Sequence, residues 1–282
     1  MAPTQRHRWI TRPDSRAARR SATLVEYVRD QARADFAARY PNARFGPVVA
    51  LVAAYNEEAN IGPVLKAMPT LIDDLEVTTL VVVDGGTDGT ADVALDAGVF
   101  TCILPVNLGQ GAALRLGYEL AAAHGARYVV TLDADGQNDP AEMPTMLAPL
   151  LDDTADFVIA SRRLGTDETT DRFRRAGVKV YASAINAIAK QHLTDSSNGY
   201  RAFRIDVLDD IVPHLVQDQY QTAEVVITAS SRGWRITQQP TEWHPRASGS
   251  SKKGGNLVFG FSYAKVILTT WARVTLGNRT RR

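Results

Sequence analysis

Residues 78–90 read TTLVVVDGGTDGT. The run from Thr78 to Val83 is unbroken by any charge and then stops at Asp84-Gly85-Gly86, the pattern of a strand buried on both faces and ended by a turn. Working outward, PVVALVAA (47–54) is a second run of the same kind and ends in Tyr55-Asn56-Glu57. Phe100 to Leu104 is a third, and Tyr128 to Leu132 a fourth that ends in Asp133-Ala134-Asp135. DFVIAS (156–161) is a fifth and delivers Arg162 and Arg163. Helical patterns at about 59–68, 90–97 and 111–124 separate the first four. Strands alternating with helices predict an α/β fold, a Rossmann-like and mostly parallel sheet flanked by helices. In such sheets ligands bind beyond the carboxyl ends of the strands. Three polar clusters, at 55–57, 84–88 and 133–135, fall at those ends and mark the expected site.

The flanks are different in character. Thr23-Leu24-Val25-Glu26 has the form of a capping box that opens a helix to about Arg39, stopped by Pro41. The second half is less regular, with an Arg-rich stretch from Arg172 to Arg175, a helix near 179–190, a turn-rich loop over 195–204 and a strand over 235–239. Ten Arg face four acids in residues 1–46, and eight Lys/Arg face none in residues 243–282, although the whole chain is only +1. Basic ends on an acidic body point to an anionic surface, a membrane or a nucleic acid. The division expected is a basic extension with a helix (1–46), a central domain (47–252) and a basic amphipathic helix (253–282). In that last helix Phe259, Tyr263, Ile267 and Trp271 share one face at i, i+4 spacing, offered to a membrane or to the chain's own domain. Gly254-Gly255 is the expected hinge before it. The stretch 257–276 is interrupted by Lys265 and Arg273, so it reads as interfacial rather than spanning. The first twenty residues lack the apolar core of a signal peptide. The single Cys102 lies in an apolar run and reads as a packed core thiol.

Asp133-Ala134-Asp135 places two carboxylates side by side, a costly arrangement unless a cation joins them. Hard oxygen ligands suit Mg²⁺ or Mn²⁺, which take further oxygens from substrate phosphates. Gln137 adds a neutral oxygen two residues on. Gly109-Gln110-Gly111 follows the third strand and lacks the remaining glycine spacing of a dinucleotide fingerprint, which excludes NAD on this motif.

Taken in order, AAYNEE (53–58), VDGGTDGT (83–90), NLGQGAALRLGY (107–118) and LDADGQNDP (132–140) resemble the family-2 glycosyltransferases of GT-A fold. DSSNGYRAFR (195–204) and RASGSSK (246–252) are similar to the polyprenyl- or dolichyl-phosphate mannosyl- and glucosyltransferases within it. The resemblance covers about residues 47–260. It implies that Ala53, Tyr55 and Glu57 line the nucleoside pocket and that Asp84 accepts a hydrogen bond from the base. It implies further that Asn107, Gly109 and Gly111 form a loop beside the nucleotide. Asp133, Ala134 and Asp135 meet the nucleotide sugar, with Asp133, Asp135 and Gln137 around the metal. Arg162, Arg174 or Arg175, Arg201, Arg246 and Lys252 occupy the places that grip acceptor phosphate and donor diphosphate. Two departures stand out: Ala53 replaces the usual proline, and Val83 and Gly86 alter the usual Asp-Asp-Gly-Ser.

The implied activity is an inverting, metal-dependent transfer of a hexose from a GDP- or UDP-sugar to a polyprenyl phosphate, with Mg²⁺ or Mn²⁺ as cofactor. The implied partners are the nucleotide-sugar donor, a lipid acceptor and a membrane surface or integral membrane protein, not nucleic acid. The implied location is the cytoplasmic membrane face. A phosphate acceptor is already anionic and calls for arginine forks. A hydroxyl acceptor calls for a carboxylate base, for which Glu224 is the candidate; its alternative role is a helix-start acid paired with a nearby Arg. A nucleotidyltransferase, which releases pyrophosphate, is the remaining catalytic reading, and a non-catalytic nucleotide-sugar-binding subunit the last.

Overall fold

The computed structural model describes the backbone of residues 15–167, 172–246 and 256–279, and the side chains of 24–166, 180–246 and 262–276. The strands are β1 (Val48–Ala54), β2 (Leu71–Ile72), β3 (Leu75–Asp84), β4 (Phe100–Leu104), β5 (Tyr128–Asp133), β6 (Phe157–Asp167), β7 (Arg201–Arg204) and β8 (Ile236–Trp243). The helices are α1 (Ser15–Arg39), α2 (Glu58–Ala67), α3 (Thr90–Asp96), α4 (Gln110–Ala123), α5 (Met143–Leu151), α6 (Arg172–Ala189), α7 (Ile205–Ile211), α8 (Gln221–Ser231) and α9 (Asn256–Arg279).

β1 is central because its apolar run is the most completely buried, and it pairs in parallel with β3 on one side and β5 on the other. The sheet runs β4-β3-β1-β5-β7-β6-β8, with the short β2 paired antiparallel to the start of β3. The chain therefore builds outward from β1 through β3 and β4, then returns to the far side of β1 with β5. The topological switch lies between β1 and β5, where Ala53 is in register with Asp133. Crevices at such switches are where open α/β sheets bind ligands.

One expectation is corrected at β7. The loop expected over 195–204 ends in a strand, Arg201–Arg204, antiparallel to both β5 and β6. Four residues with Arg at each end carry too short a pattern to be read as a strand. The helix expected from Thr23 begins earlier, at Ser15, because the Ala/Arg-rich stretch before it consists of strong helix formers. Glu26, the supposed cap, pairs instead with Arg29 and Arg33.

Helix α1 is no detached extension. Val28, Ala32 and Phe36, spaced i, i+4, i+8, enter the main core. Phe36 packs among Tyr40, Phe45, Phe100 and His124, and Arg29 and Arg33 both pair with Glu119 of α4. Cys102 is fully buried in the same core, where burial pushes its thiol up to about 12. The opposite face of the sheet is covered by α2, α3 and α5 over a second core that includes Val52, Ile61, Leu132 and Leu147.

Candidate active site

The turns after β1 and β3 are built as one unit. Asn56 Oδ1 accepts from the Thr87 amide at 2.9 Å, and Asp88 accepts from the Glu58 amide that opens α2, at 3.1 Å. Glu58 in turn accepts from the Gly89 amide at 3.0 Å. This cross-capping satisfies helix-end donors that lack intrahelical partners. Asp88 also accepts from the Thr90 amide at 3.1 Å, so it is a capping residue for both helix starts. Glu57 is held by the same unit: its amide donates to Thr90 Oγ1 at 2.7 Å, and its Oε2 accepts from Asn60 Nδ2 at 2.7 Å. Tyr55 stands half-exposed at the rim.

Asp133 ends β5 and Asp135 follows on the next turn. Gln110 at the start of α4 donates to Asp133 Oδ1 at 2.9 Å. Gly199 backs the same carboxylate so closely that a Cβ there would stand 3.1 Å from Asp133 Oδ2 and 3.2 Å from Oδ1. Asp135 is buried; Oδ1 accepts from the Gln137 amide at 3.1 Å, and Oδ2 accepts from Arg246 Nη2 at 2.7 Å. Arg246 Nη1 reaches Glu57 Oε1 at 2.9 Å. The carboxyl ends of β1 and β5 and the exit of β8 therefore converge on one cluster of three acids and one guanidinium. Burial first, and then the charge of Asp133, push the Asp135 carboxyl up to about 6 despite Arg246. The cluster remains short of positive charge.

That shortage, with hard oxygens facing the switch-point crevice, fits a divalent cation. Among the described residues no group of three or more His, Cys, Asp or Glu could hold a metal alone. The fit is therefore to an ion carried by Asp133 and Asp135 and completed by phosphate oxygens and water, the usual habit of Mg²⁺. The side-chain nitrogen of Gln137, as distinct from the oxygen expected near the metal, is engaged just past the end of β8. It donates to the His244 carbonyl at 3.2 Å, while the His244 amide donates to the Gln137 carbonyl at 3.1 Å. This clasp fixes the end of β8 against the Asp135 turn, two residues before Arg246. Ala134 turns its methyl into the core.

Several expected site residues are elsewhere engaged. Asp84 accepts from the amides of Leu108 (2.7 Å) and Gly109 (2.8 Å), so both of its oxygens shape the loop; burial raises its pKa and those amides oppose the rise. Asn107 is exposed on that loop, against the Gly85 turn. Gly109 and Gly111 permit close approach of the chain at 217–218. A Cβ on Gly109 would collide with the Asp218 carbonyl oxygen and one on Gly111 with that of Gln217, and Gly109 has φ +101°.

Arg162 is a correction. It is buried and forms a two-pronged pair with Asp195 at 2.6 and 3.0 Å, adds Ser197 Oγ at 3.0 Å, and lies 4.8 Å over the Trp243 ring. Arg201 is a second. It is buried and donates to the carbonyls of Asn198 (2.8 Å), Ser196 (2.9 Å) and Thr222 (3.1 Å), which organises the turn that carries Gly199. Both guanidiniums are taken up by partners within the protein. Glu224 is a third: fully buried in α8, it accepts from the Val216 and Gln217 amides at 3.0 and 2.9 Å and from Arg273 of α9 at 2.6 Å. It is the Arg-paired structural acid and no general base. Arg174 and Arg175 lie in the first turn of α6 with their side chains outside the described residues, as does Lys252 entirely. Gln110, Asn60 and Gly199 were missed by sequence reading. Gln110 had a signal, a polar side chain between two glycines at a helix start, whereas Gly199 had none.

A mostly parallel sheet with its switch-point crevice lined by a D-x-D pair is the architecture of a GT-A glycosyltransferase. The chain belongs to glycosyl transferase family 2, whose model matches residues 49–212. It is 30% identical to a dolichyl-phosphate hexose transferase of Haloferax volcanii, over 79% of this chain and 95% of that one. It is 28% identical to an undecaprenyl-phosphate mannosyltransferase of Micrococcus luteus, over 79% and 93% of the two chains. The structure of glucosyl-3-phosphoglycerate synthase from Mycobacterium tuberculosis in complex with Mn²⁺ and uridine-diphosphate-glucose superposes with a TM-score of 0.63. It covers 85% of this chain and 83% of that one at 18% identity, a likeness of fold.

Proposed function

We propose that this glycosyltransferase moves a hexose from a GDP- or UDP-sugar to a polyprenyl phosphate, with inversion and with Mg²⁺ or Mn²⁺ on the donor diphosphate. The observation that carries the reading is the under-neutralised cluster of Asp133, Asp135 and Glu57 at the switch point. The relatives named as polyprenyl- and dolichyl-phosphate sugar transferases support the acceptor class. In the transfer, an acceptor phosphate oxygen forms a bond to the sugar's anomeric carbon as the bond to the diphosphate oxygen breaks. The metal would neutralise charge gathering on the departing diphosphate. Asp133 and Asp135 would hold that ion, Gln110 orients Asp133, the absence of a side chain at Gly199 leaves the Asp133 carboxylate room, and Arg246 would supply a second cation. The acceptor is anionic before reaction and needs no strong base, in keeping with the structural role of Glu224.

Incubation of the full chain with labelled GDP- and UDP-hexoses, Mn²⁺ and polyprenyl phosphate is expected to yield an organic-extractable, mild-acid-labile product. Label found only on sugar hydroxyls, or release of pyrophosphate, would refute the acceptor or the reaction type.

The acceptor implies a membrane surface, and α9 supplies the face. Tyr263, Val266 and Ile267 are buried against the domain, Tyr263 meets Thr222 at 3.2 Å, and Arg273 fastens α9 to Glu224. Of the stripe offered to a membrane or to the chain's own domain, positions 263 and 267 therefore pack on the domain, and Phe259 lies outside the described side chains. Leu268 (61%), Trp271 (47%) and Leu276 (61%) are exposed instead, in a stretch without a single acid. No helix among the described residues is long and apolar enough to cross a membrane. The outward face suits an interfacial helix on anionic lipid. Burying each large apolar side chain contributes roughly 1.5–3 kcal/mol. Leu268→Glu with Trp271→Glu is therefore expected to reduce flotation with phosphatidylglycerol vesicles at least tenfold; equal flotation would exclude this face.

A further inference from the structure

Arg246 lies where the cation is needed. Of the two Asp135 oxygens, one is taken by the Gln137 amide and the other by Arg246 Nη2 at 2.7 Å. The second prong of the guanidinium closes on Glu57 at 2.9 Å, so a single side chain spans the ends of β1 and β5. A divalent ion that binds Asp135 directly is brought against the carboxylate on which Arg246 rests, and two cations sharing one carboxylate repel in a partly dehydrated cleft. The Gln137–His244 clasp holds the backbone two residues before Arg246, so the arm is anchored on the same turn that carries Asp135.

We propose that Arg246 is an exchangeable counter-cation, seated on Asp135 and Glu57 in the ligand-free protein and released when a divalent metal enters together with a nucleoside diphosphate. The diphosphate oxygens provide the guanidinium with a new two-pronged partner. Metal alone meets the charge of Arg246 without compensation; metal with diphosphate gives the guanidinium another partner. The two ligands therefore bind with positive coupling, and each strengthens the other by the same factor. This rests on the reading of Asp133 and Asp135 as the metal ligands. It assigns Arg246 a role before any chemistry: it prevents a bare ion from settling in the site and delays assembly of the cleft until the donor arrives.

The test is direct binding of Mn²⁺ to the full chain, read from the paramagnetic resonance signal of free Mn²⁺, with and without GDP or UDP. Wild type is expected to bind Mn²⁺ weakly alone and at least tenfold more tightly with the matching nucleotide. Arg246→Met is expected to tighten Mn²⁺ alone about tenfold and to shrink the nucleotide's effect by the same factor, leaving the part that comes from the diphosphate's own bonds to the ion. Arg246→Lys keeps the charge but not the two-pronged bridge, and is expected to fall between them. An Arg246→Met protein that binds Mn²⁺ alone no better than wild type overturns the proposal. So does a Lys variant indistinguishable from wild type, since charge without the bridge then accounts for the result. If wild type takes up no Mn²⁺ with either nucleotide, the metal site itself is refuted, an outcome separate from unchanged uptake in the variants.

Discussion

Asp135→Ala is expected to lower sugar transfer by roughly a thousandfold or more, a loss of about 4 kcal/mol in transition-state stabilisation, while the protein stays folded. Asp135 is buried, and burial and Asp133 hold its pKa at about 6, above the ordinary carboxylate range. An acid raised on folding binds its proton more tightly in the native state. Stability therefore falls as pH rises from the unfolded value to the folded one, and above about 6 the ionised group costs the metal-free protein stability. Asp135→Asn, which keeps the shape and removes the charge, is expected to melt at the wild-type temperature or higher at pH ~7.5 and still be inactive. An active Asn variant, or one that is inactive because it unfolds, would contradict the functional assignment. A residue retained at a cost in stability is characteristic of a working site.

Arg162→Met is expected to have the largest effect on folding, about 3–5 kcal/mol, because it leaves Asp195 buried without its partner. Burial alone would raise the Asp195 pKa, but Arg162 and Ser197 together hold it below the usual range. A depressed acid contributes stability above its unfolded value, about 4, and that contribution is lost as pH falls through the folded value. Without Arg162, Ser197 alone opposes burial and Asp195 takes up a proton at higher pH. The stability gap between wild type and variant is therefore expected to be full near neutrality and to narrow on acidification. Urea denaturation at pH ~7.5 and at pH ~4.5 measures both points. A variant as stable as wild type but with a raised KM for the acceptor would restore Arg162 to the phosphate-gripping role that its motif suggests.

Arg162, Arg201, Glu224 and Asp84 show what sequence reading lacked. Each is a charged residue at a motif position, and each is spent on a partner elsewhere in the chain. Arg162 meets Asp195, Glu224 meets Arg273, and Asp84 meets the amides of Leu108 and Gly109. Residue type announces a charge but does not say whether a ligand or another part of the protein answers it. Helix α9 presents the same difficulty in apolar form. Tyr263 and Ile267 lie on one side and Leu268, Trp271 and Leu276 on another, so periodicity alone could not choose which face the domain covers.

The chain order of apolar runs was sufficient for the parallel core, because a strand buried on both faces must be apolar throughout and must break where it meets the cleft. For the same reason Asp133 and Asp135 were legible as neighbours facing a common site: they are close in the chain, and their repulsion follows from that closeness. The family followed from several such segments in fixed order. What only the tertiary structure decided is which positive charge faces that pair. Arg246 comes from 111 residues away to lie on Asp135, while Arg162 and Arg201 turn inward to an acid and to carbonyls of the same turn. Local sequence limits which groups can ionise; the folded packing determines which of those charges are already neutralised and which are left for a substrate.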